Sequence, residues 1–268
     1  ITKKTKAIIA VHAVGNPCDM PRLMKVAKKY NVKVIEDNCD GWGSTIDSKM
    51  VGSFGDISIT SFHAAHIVSM GVGGGVFTSN KLLAQRIRQY RDWGRQADTT
   101  RPHKVKELPK DYNPRFVYEK IGYNFQILEL QAAMGRVQLR KSHKIMVARL
   151  KNFYYLYSRL TDFKDLILPT WLENAYVCWF SFPLTTKGDR GKLVAYLEKH
   201  GIETRSMFAG NIIRHSAYKN SKYRISGKLT EADYILAHSF WISVHPRLTK
   251  SDLDYIIKIF KNYYAGIK

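Results

Sequence analysis

Three acids, a serine and a histidine fall close together in this chain, at or just beyond the ends of strand-like runs. Glu36-Asp37 closes the run over 32–37, and Asp40 follows three residues later. An acid at the C-terminal end of a parallel strand stands where ligands of open α/β sheets bind. It either holds a positive charge there, such as a protonated ring nitrogen, or caps the turn that follows. Ser61 ends the next run, from 57, ahead of Gly71, Gly73, Gly74 and Gly75. A hydroxyl in that place suits a phosphate, or is an ordinary turn serine. The glycines lack a following Lys-Ser/Thr and do not open a helix, so they are neither a P-loop nor a dinucleotide fingerprint. They let the backbone approach a bound group closely. His66, one of nine histidines, is a proton carrier or a satisfied structural residue. Arg205, Gly210-Asn211 and Arg214 suit phosphate recognition, or are solvated arginines.

The elements that must position these groups are legible from periodicity. Strands are expected over 6–12, 32–37, 57–62 and 75–79, and helices over 19–30 and 81–93. Asp19 and Pro21 mark the first helix start. Strand, helix and strand within about thirty residues make a βαβ unit and hence a parallel sheet. The proline-bearing stretch 96–118 reads as a long loop, and 128–160 as a helix. Beyond it the spacing shortens: a strand over 176–184, a helix over 192–200, a short strand over 202–205 and a closing helix over 251–264. The expectation is an α/β protein with a mainly parallel sheet over 1–145 and a small α+β domain over 146–268.

Bulk properties narrow the function. Lys and Arg number 43 against 22 Asp and Glu, a formal net charge of +21. The basic residues spread along the whole length, which points to a cleft for a small anion rather than to nucleic acid. No apolar run is long enough for a membrane span. Cys18, Cys39 and Cys178 have neither zinc-site spacing nor a disulfide framework, so no metal site is expected. With no signal-peptide pattern at the start, a reducing cytoplasm is expected.

The ordered motifs "IEDNCDGWGS", "GSFGDISITSF", the glycine turn and "GYNFQILELQAAMGRVQL" resemble the sugar aminotransferase family that acts on nucleotide-linked sugars. The resemblance runs from "TKAIIAVHAVGNPCDM" to "FWISVHPRLT". It implies the aspartate-aminotransferase-like fold of pyridoxal phosphate enzymes, with a large cofactor-binding domain and a small C-terminal one. Asp37 then matches the partner of the pyridinium nitrogen, which keeps the ring an electron sink. Ser61 matches the phosphate-binding serine. Asn124 matches an asparagine that reaches the cofactor phosphate of a neighbouring subunit, which implies a homodimer with a shared site. The stretch "GIETRSMFAGNIIRHSAY", with Arg205, Asn211 and Arg214, resembles the nucleotide-sugar-binding part.

Four residues after the Phe of "SF" the family carries the lysine that anchors the cofactor covalently, and this chain has His66. Histidine cannot make that link but can shuttle a proton. The replacement marks the 4-keto-6-deoxysugar 3-dehydratases, which hold pyridoxamine phosphate and remove the C3 hydroxyl of the nucleotide-sugar substrate in surface-glycan synthesis. "EDNCD" and "TRSMFAGN" look closest to the CDP-glucose-type branch, which carries an iron–sulfur cluster. Of its cysteine ligands only Cys39 has a counterpart here, so no cluster is expected. The cluster-free GDP-mannose-type branch keeps the nucleotide open. Asp40 stands where the family commonly has a ring-stacking Gln or His, and Val72 where the glycine turn usually has Glu. A family segment with a further phosphate turn has no counterpart from residue 1 on. The rival readings are an ordinary nucleotide-sugar aminotransferase and an inactive, regulatory relative.

Overall fold

The computed structural model describes residues 1–96, 98, 100–102 and 104–266. In chain order the elements are β1 (Ala7–Val11), α1 (Met20–Tyr30), β2 (Lys33–Asp37), β3 (Thr45–Ile46), β4 (Lys49–Met50), β5 (Ile57–Ser61), β6 (Gly74–Phe77), α2 (Lys81–Arg91) and α3 (Glu129–Leu160). There follow β7 (Leu166–Ile167), β8 (Ala175–Tyr176), β9 (Phe182–Thr186), α4 (Arg190–Lys199), β10 (Thr204–Ser206), α5 (Thr230–His238), β11 (Ser239–Ile242) and α6 (Lys250–Ala265). Contacts divide the chain into two units: 1–12, 18–39 and 49–140, and 13–17, 40–48 and 141–268.

The first unit holds a sheet in the order β1-β2-β5-β6. β1, β2 and β5 run parallel and β6 returns antiparallel to β5. The crossover between β1 and β2 is α1. Asp19 starts it by accepting the Arg22 N–H at 3.0 Å, and Asn31, left-handed at φ 50°, ends it. Side chains alternate faces along each strand. Ala10, Val34, Glu36, Ser58 and Thr60 therefore share one face, and all are buried. Asp37, Ile59 and Ser61 share the other. Of the expected loop over 96–118, Ala97, Thr99 and His103 lie outside the described residues; among the others, only Pro114–Phe116 forms a helical turn.

The second unit has an antiparallel sheet in the order β10-β11-β9-β7, with α3, α4 and α6 supplying core residues. α3 changes unit along its length. Residues 129–140 belong to the first and bury nothing, whereas Arg149, Leu150, Asn152, Phe153, Leu156 and Leu160 are buried in the second. The strand expected over 176–184 is broken. β8 pairs with β3, β9 pairs with β7 and β11, and residues 177–181 between them are buried without a ladder. Aromatic packing overrides strand propensity there. Phe153 stacks on Trp179 with ring centroids 4.4 Å apart and planes 4° apart, and both are fully buried. Phe153→Ala is expected to cost about 3–5 kcal/mol through the cavity it leaves, read as a lower urea midpoint at unchanged slope.

Candidate active site

β2 ends in two acids that the pleat sends to opposite faces, and the structure gives them different work. Glu36 is fully buried. Its Oε2 accepts from His12 Nε2 at 3.1 Å and the Gly52 N–H at 2.6 Å. Its Oε1 accepts the Phe54 and Gly55 N–H groups at 2.7 and 2.6 Å. The Cys18 N–H meets His12 Nδ1 at 3.2 Å, and Nε2 faces the carboxylate. Burial opposes the Glu36 charge, but the His12, Gly55, Gly52 and Phe54 hydrogen bonds outweigh it and hold the carboxyl below its usual range. Glu36 thus ties β1 and the 52–55 turn to the end of β2.

Asp37 stays half-buried on the opposite face, its Oδ1 accepting the Cys39 N–H at 3.1 Å. In the ladder Asp37 pairs with Ile59, and Ser61 lies two residues further along β5. Both therefore share one face at the C-terminal edge of the parallel strands. Ser61 Oγ accepts the His63 N–H at 3.2 Å. The loop leaving Ser61 is closed by the Phe62 N–H on the Gly73 carbonyl and the Met70 N–H on the Phe62 carbonyl, each at 2.9 Å. His66 sits half-buried inside it, its N–H on the His63 carbonyl and its ring edge-on to that of His63.

Two of the glycines have reasons within the chain. Gly73 is at φ 137°, and a Cβ on Gly74 would fall 2.7 Å from the Thr60 carbonyl oxygen across the ladder. Val72 projects into solvent, and it is its backbone carbonyl that accepts from Gln131 Nε2, at 3.1 Å. Asn124 is exposed on the segment that bridges to Asp92 after α2. A cavity of about 1180 Å³ opens beside β6 and α2, and none of Asp37, Ser61, His66 and Asn124 lines it.

Asp40, Arg205, Asn211 and Arg214 lie in the second unit. Asp40 is buried, and its Oδ2 accepts the N–H of Val14, which is left-handed at φ 50°. Arg149, also buried, donates to the Phe180 carbonyl. Desolvation lowers the Arg149 pKa, with Cys178 and Asp40 opposing. Arg205 is exposed on β10 and pairs with Glu203 at 2.5 Å. Arg214 grips Asp233 with two nitrogens, at 2.8 and 2.5 Å, and Asn211 donates to the same carboxylate at 2.8 Å. The Arg214 and Asn211 hydrogen bonds hold the Asp233 carboxyl down to about 2. Sequence reasoning missed Glu36 as an anchor, although its neighbour on the alternate face was singled out. It also missed Arg149 and Asp233, for which no spacing signal exists. Among the described residues, no three His, Cys, Asp or Glu side chains are grouped to hold a metal.

The family model described as the DegT/DnrJ/EryC1/StrS aminotransferase family matches residues 1–261. The chain belongs to this family. Its fold is that of the pyridoxal-phosphate-dependent aminotransferases. It is 38% identical over 280 residues to the lipopolysaccharide biosynthesis protein RfbH of Salmonella typhimurium, a match covering 99% of this chain and 64% of that protein. It is 34% identical over 279 residues to the dTDP-4-dehydro-2,6-dideoxy-D-glucose 3-dehydratase of Saccharopolyspora spinosa, covering 99% of this chain and 60% of the relative. The chain thus spans somewhat under two thirds of the length of these two relatives. Among solved structures, the E. coli GDP-4-keto-6-deoxy-D-mannose-3-dehydratase with bound hydrated PLP matches with a TM-score of 0.87 at 26% identity. That match covers 97% of this chain and 68% of the other. The family thus includes dehydratases beside the aminotransferases for which it is named. An acid and a hydroxyl on one face of a parallel-strand edge fit a pyridinium and a phosphate.

Glu36 generates a pH prediction. Its folded pKa is lowered from 4.5, so its stabilisation is present above that value and is lost as pH falls through the folded pKa. Glu36→Gln is expected to cost about 3 kcal/mol at pH 7. Urea unfolding from pH 6 downward should show the wild-type advantage shrinking once the pH falls below 4.5, and a pH-independent difference would refute the assignment.

Proposed function

We propose that this chain is the pyridoxamine-phosphate-dependent part of a nucleotide-sugar 3-dehydratase. It removes the C3 hydroxyl of a nucleotide-linked 4-keto-6-deoxyhexose in surface-polysaccharide synthesis, with the CDP-glucose type favoured. The observation that carries the reading is His66 in place of the anchoring lysine. Its position in the loop leaving the edge that bears Asp37 and Ser61 supports it. Two of the three relatives above are dehydratases by name. Bound pyridoxamine phosphate supplies an amine for the substrate ketone and a ring that takes up electrons. Asp37 pairs with the ring nitrogen and keeps it protonated, and Ser61 holds the phosphate. His66 accepts a proton at the cofactor's C4′ carbon. Asp40, at the position of the family's ring-stacking residue, would contribute to holding the cofactor, and Arg205, Asn211 and Arg214 bind the diphosphate and nucleotide. For Arg205 and Arg214 the substrate phosphates compete with Glu203 and Asp233. No iron–sulfur cluster takes part. The protein works in the cytoplasm, where its three cysteines are free, and no described helix is long and apolar enough to cross a membrane.

The working form is a homodimer in which Asn124 reaches the neighbouring site. The apolar surface around Asn124 favours this. Ile121 is 96% exposed and Phe125 66%, with Tyr123, Leu128 and Leu130 also exposed. A run of this kind is costly in water and marks an interface. Sedimentation should show a dimer that Ile121→Asp converts to a monomer, with loss of cofactor retention.

The chemistry is tested by incubating the protein with pyridoxamine phosphate and, separately, CDP- and GDP-4-keto-6-deoxyhexoses, and following loss of the C3 oxygen by mass spectrometry. Borohydride should trap no lysine–cofactor adduct on the wild type, and such an adduct would sink the reading. His66→Lys should gain the adduct and lose dehydration about 100-fold or more. Unchanged dehydration in that variant would remove His66 from the proton step.

A further inference from the structure

Val14 is buried, β-branched and left-handed at φ 50° and ψ 23°. For such a residue that conformation is an outlier, at about 1–3 kcal/mol, and it persists only where the surroundings impose it. The Val14 N–H bonds Asp40 Oδ2 at 3.1 Å, and the Val14 carbonyl accepts the Phe180 N–H at 2.9 Å. The Phe180 carbonyl accepts in turn from the Arg149 guanidinium, which also lies 5.4 Å from the centroid of the Phe180 ring. Gly15 closes the same contact, since a Cβ on it would fall 2.3 Å from the Cys178 carbonyl oxygen. Ser44 Oγ bridges the two stretches, accepting the Cys178 N–H at 2.8 Å and donating to the Gly15 carbonyl at 2.7 Å. A continuous line of hydrogen bonds thus runs from Arg149 through Phe180 and Val14 to Asp40, all within the second unit. Its two ends are opposite charges, both buried. Desolvation works against the Arg149 charge, and Cys178 and Asp40 oppose it. Burial pushes the Cys178 thiol up to about 12, so at neutral pH Asp40 is the anion of the two. A neutral Asn or Ser side chain can cap a backbone N–H, so capping Val14 does not by itself call for a buried charge pair.

We infer that Arg149 is a positioning residue for the cofactor site: through Phe180 and the strained Val14 it fixes the Asp40 carboxylate that helps to hold the cofactor. The inference rests on the reading of Asp40 above and supplies the residue that acts through it. A carboxylate stacks poorly on a ring. What it can offer a protonated ring is negative charge at a fixed place, and such charge is effective only when the group bearing it is held in advance. Arg149 does this without touching the cofactor, because its grip is on the backbone that carries the Val14 N–H.

The test is titration of the full chain with pyridoxamine phosphate, followed by the cofactor's fluorescence, beside thermal melting of each variant. Arg149→Met and Asp40→Asn should each bind about 10-fold more weakly than wild type. The double variant should bind no more weakly than Asp40→Asn alone, because the two residues act as one. Arg149→Lys, the milder change, keeps a donor for the Phe180 carbonyl and should bind between wild type and Arg149→Met, with the same non-additivity toward Asp40→Asn. Asn152→Leu controls for general loosening. It removes another buried polar group of α3, whose amide bonds the His245 carbonyl at 2.8 Å, so it should melt lower and bind the cofactor as wild type does. Wild-type affinity in both Arg149 variants, losses that add in the double variants, or an equal loss in Asn152→Leu would overturn the inference. Unchanged affinity in Asp40→Asn would remove Asp40 from the cofactor site and the inference with it, leaving the role of His66 standing. A wild-type chain that binds no pyridoxamine phosphate would overturn the proposed function and the inference together.

Discussion

A single buried carboxylate organises the edge of the sheet on which the proposed chemistry depends. Glu36 takes N–H groups from His12, Gly52, Phe54 and Gly55. Those donors come from the residue after β1 and from the turn before β5. A charge so deep is tolerable only because every bond around it is charge-assisted and donated by fixed groups. The same four bonds set where β2 stops. The next residue, Asp37, is thereby delivered to the opposite face at the strand's C-terminal end. A structural acid and a candidate functional acid are adjacent in sequence, and the pleat separates their roles.

The glycine turn shows how demands on the fold and on chemistry overlap. Four glycines after a strand invite the reading that the backbone passes close to a bound group. The ladder supplies a nearer reason for Gly74, whose place beside the Thr60 carbonyl leaves no room for a Cβ. Gly73 is required by its own φ. These constraints close the loop that carries His66, so the loop's geometry is built without a ligand. What a ligand would add is a use for His66 and for the Ser61 hydroxyl on the same edge.

The second unit handles its charges locally. Arg205 and Arg214 look like a phosphate-binding pair in sequence, but Glu203 and Asp233 each claim one of them. Their exposure keeps these pairs weak, and a multiply charged phosphate can displace an exposed carboxylate. Arg149 and Asp40 are different, since both are buried and fixed to backbone groups of the 13–15 and 178–180 stretches.

Much of the architecture was legible from pattern alone. The βαβ unit, the strand after the glycine turn, the long α3 and the closing α6 follow from apolar periodicity and capping residues, which act over a few residues, whereas the antiparallel return of β6 is seen only in the ladder. The ordered motifs identified the family, and the proposal of a dehydratase rests on His66, because the covalent role of lysine has no substitute among side chains. The break of the aromatic strand over 177–181, the passage of α3 from one unit to the other and the grouping of 13–17 and 40–48 with the second unit were not legible. Neither were the partners of Glu36, Arg149 and Asp233, nor the strained backbone of Val14. Each depends on which distant backbone a side chain meets. Local propensity carries no information about that, and only the packed chain decides it.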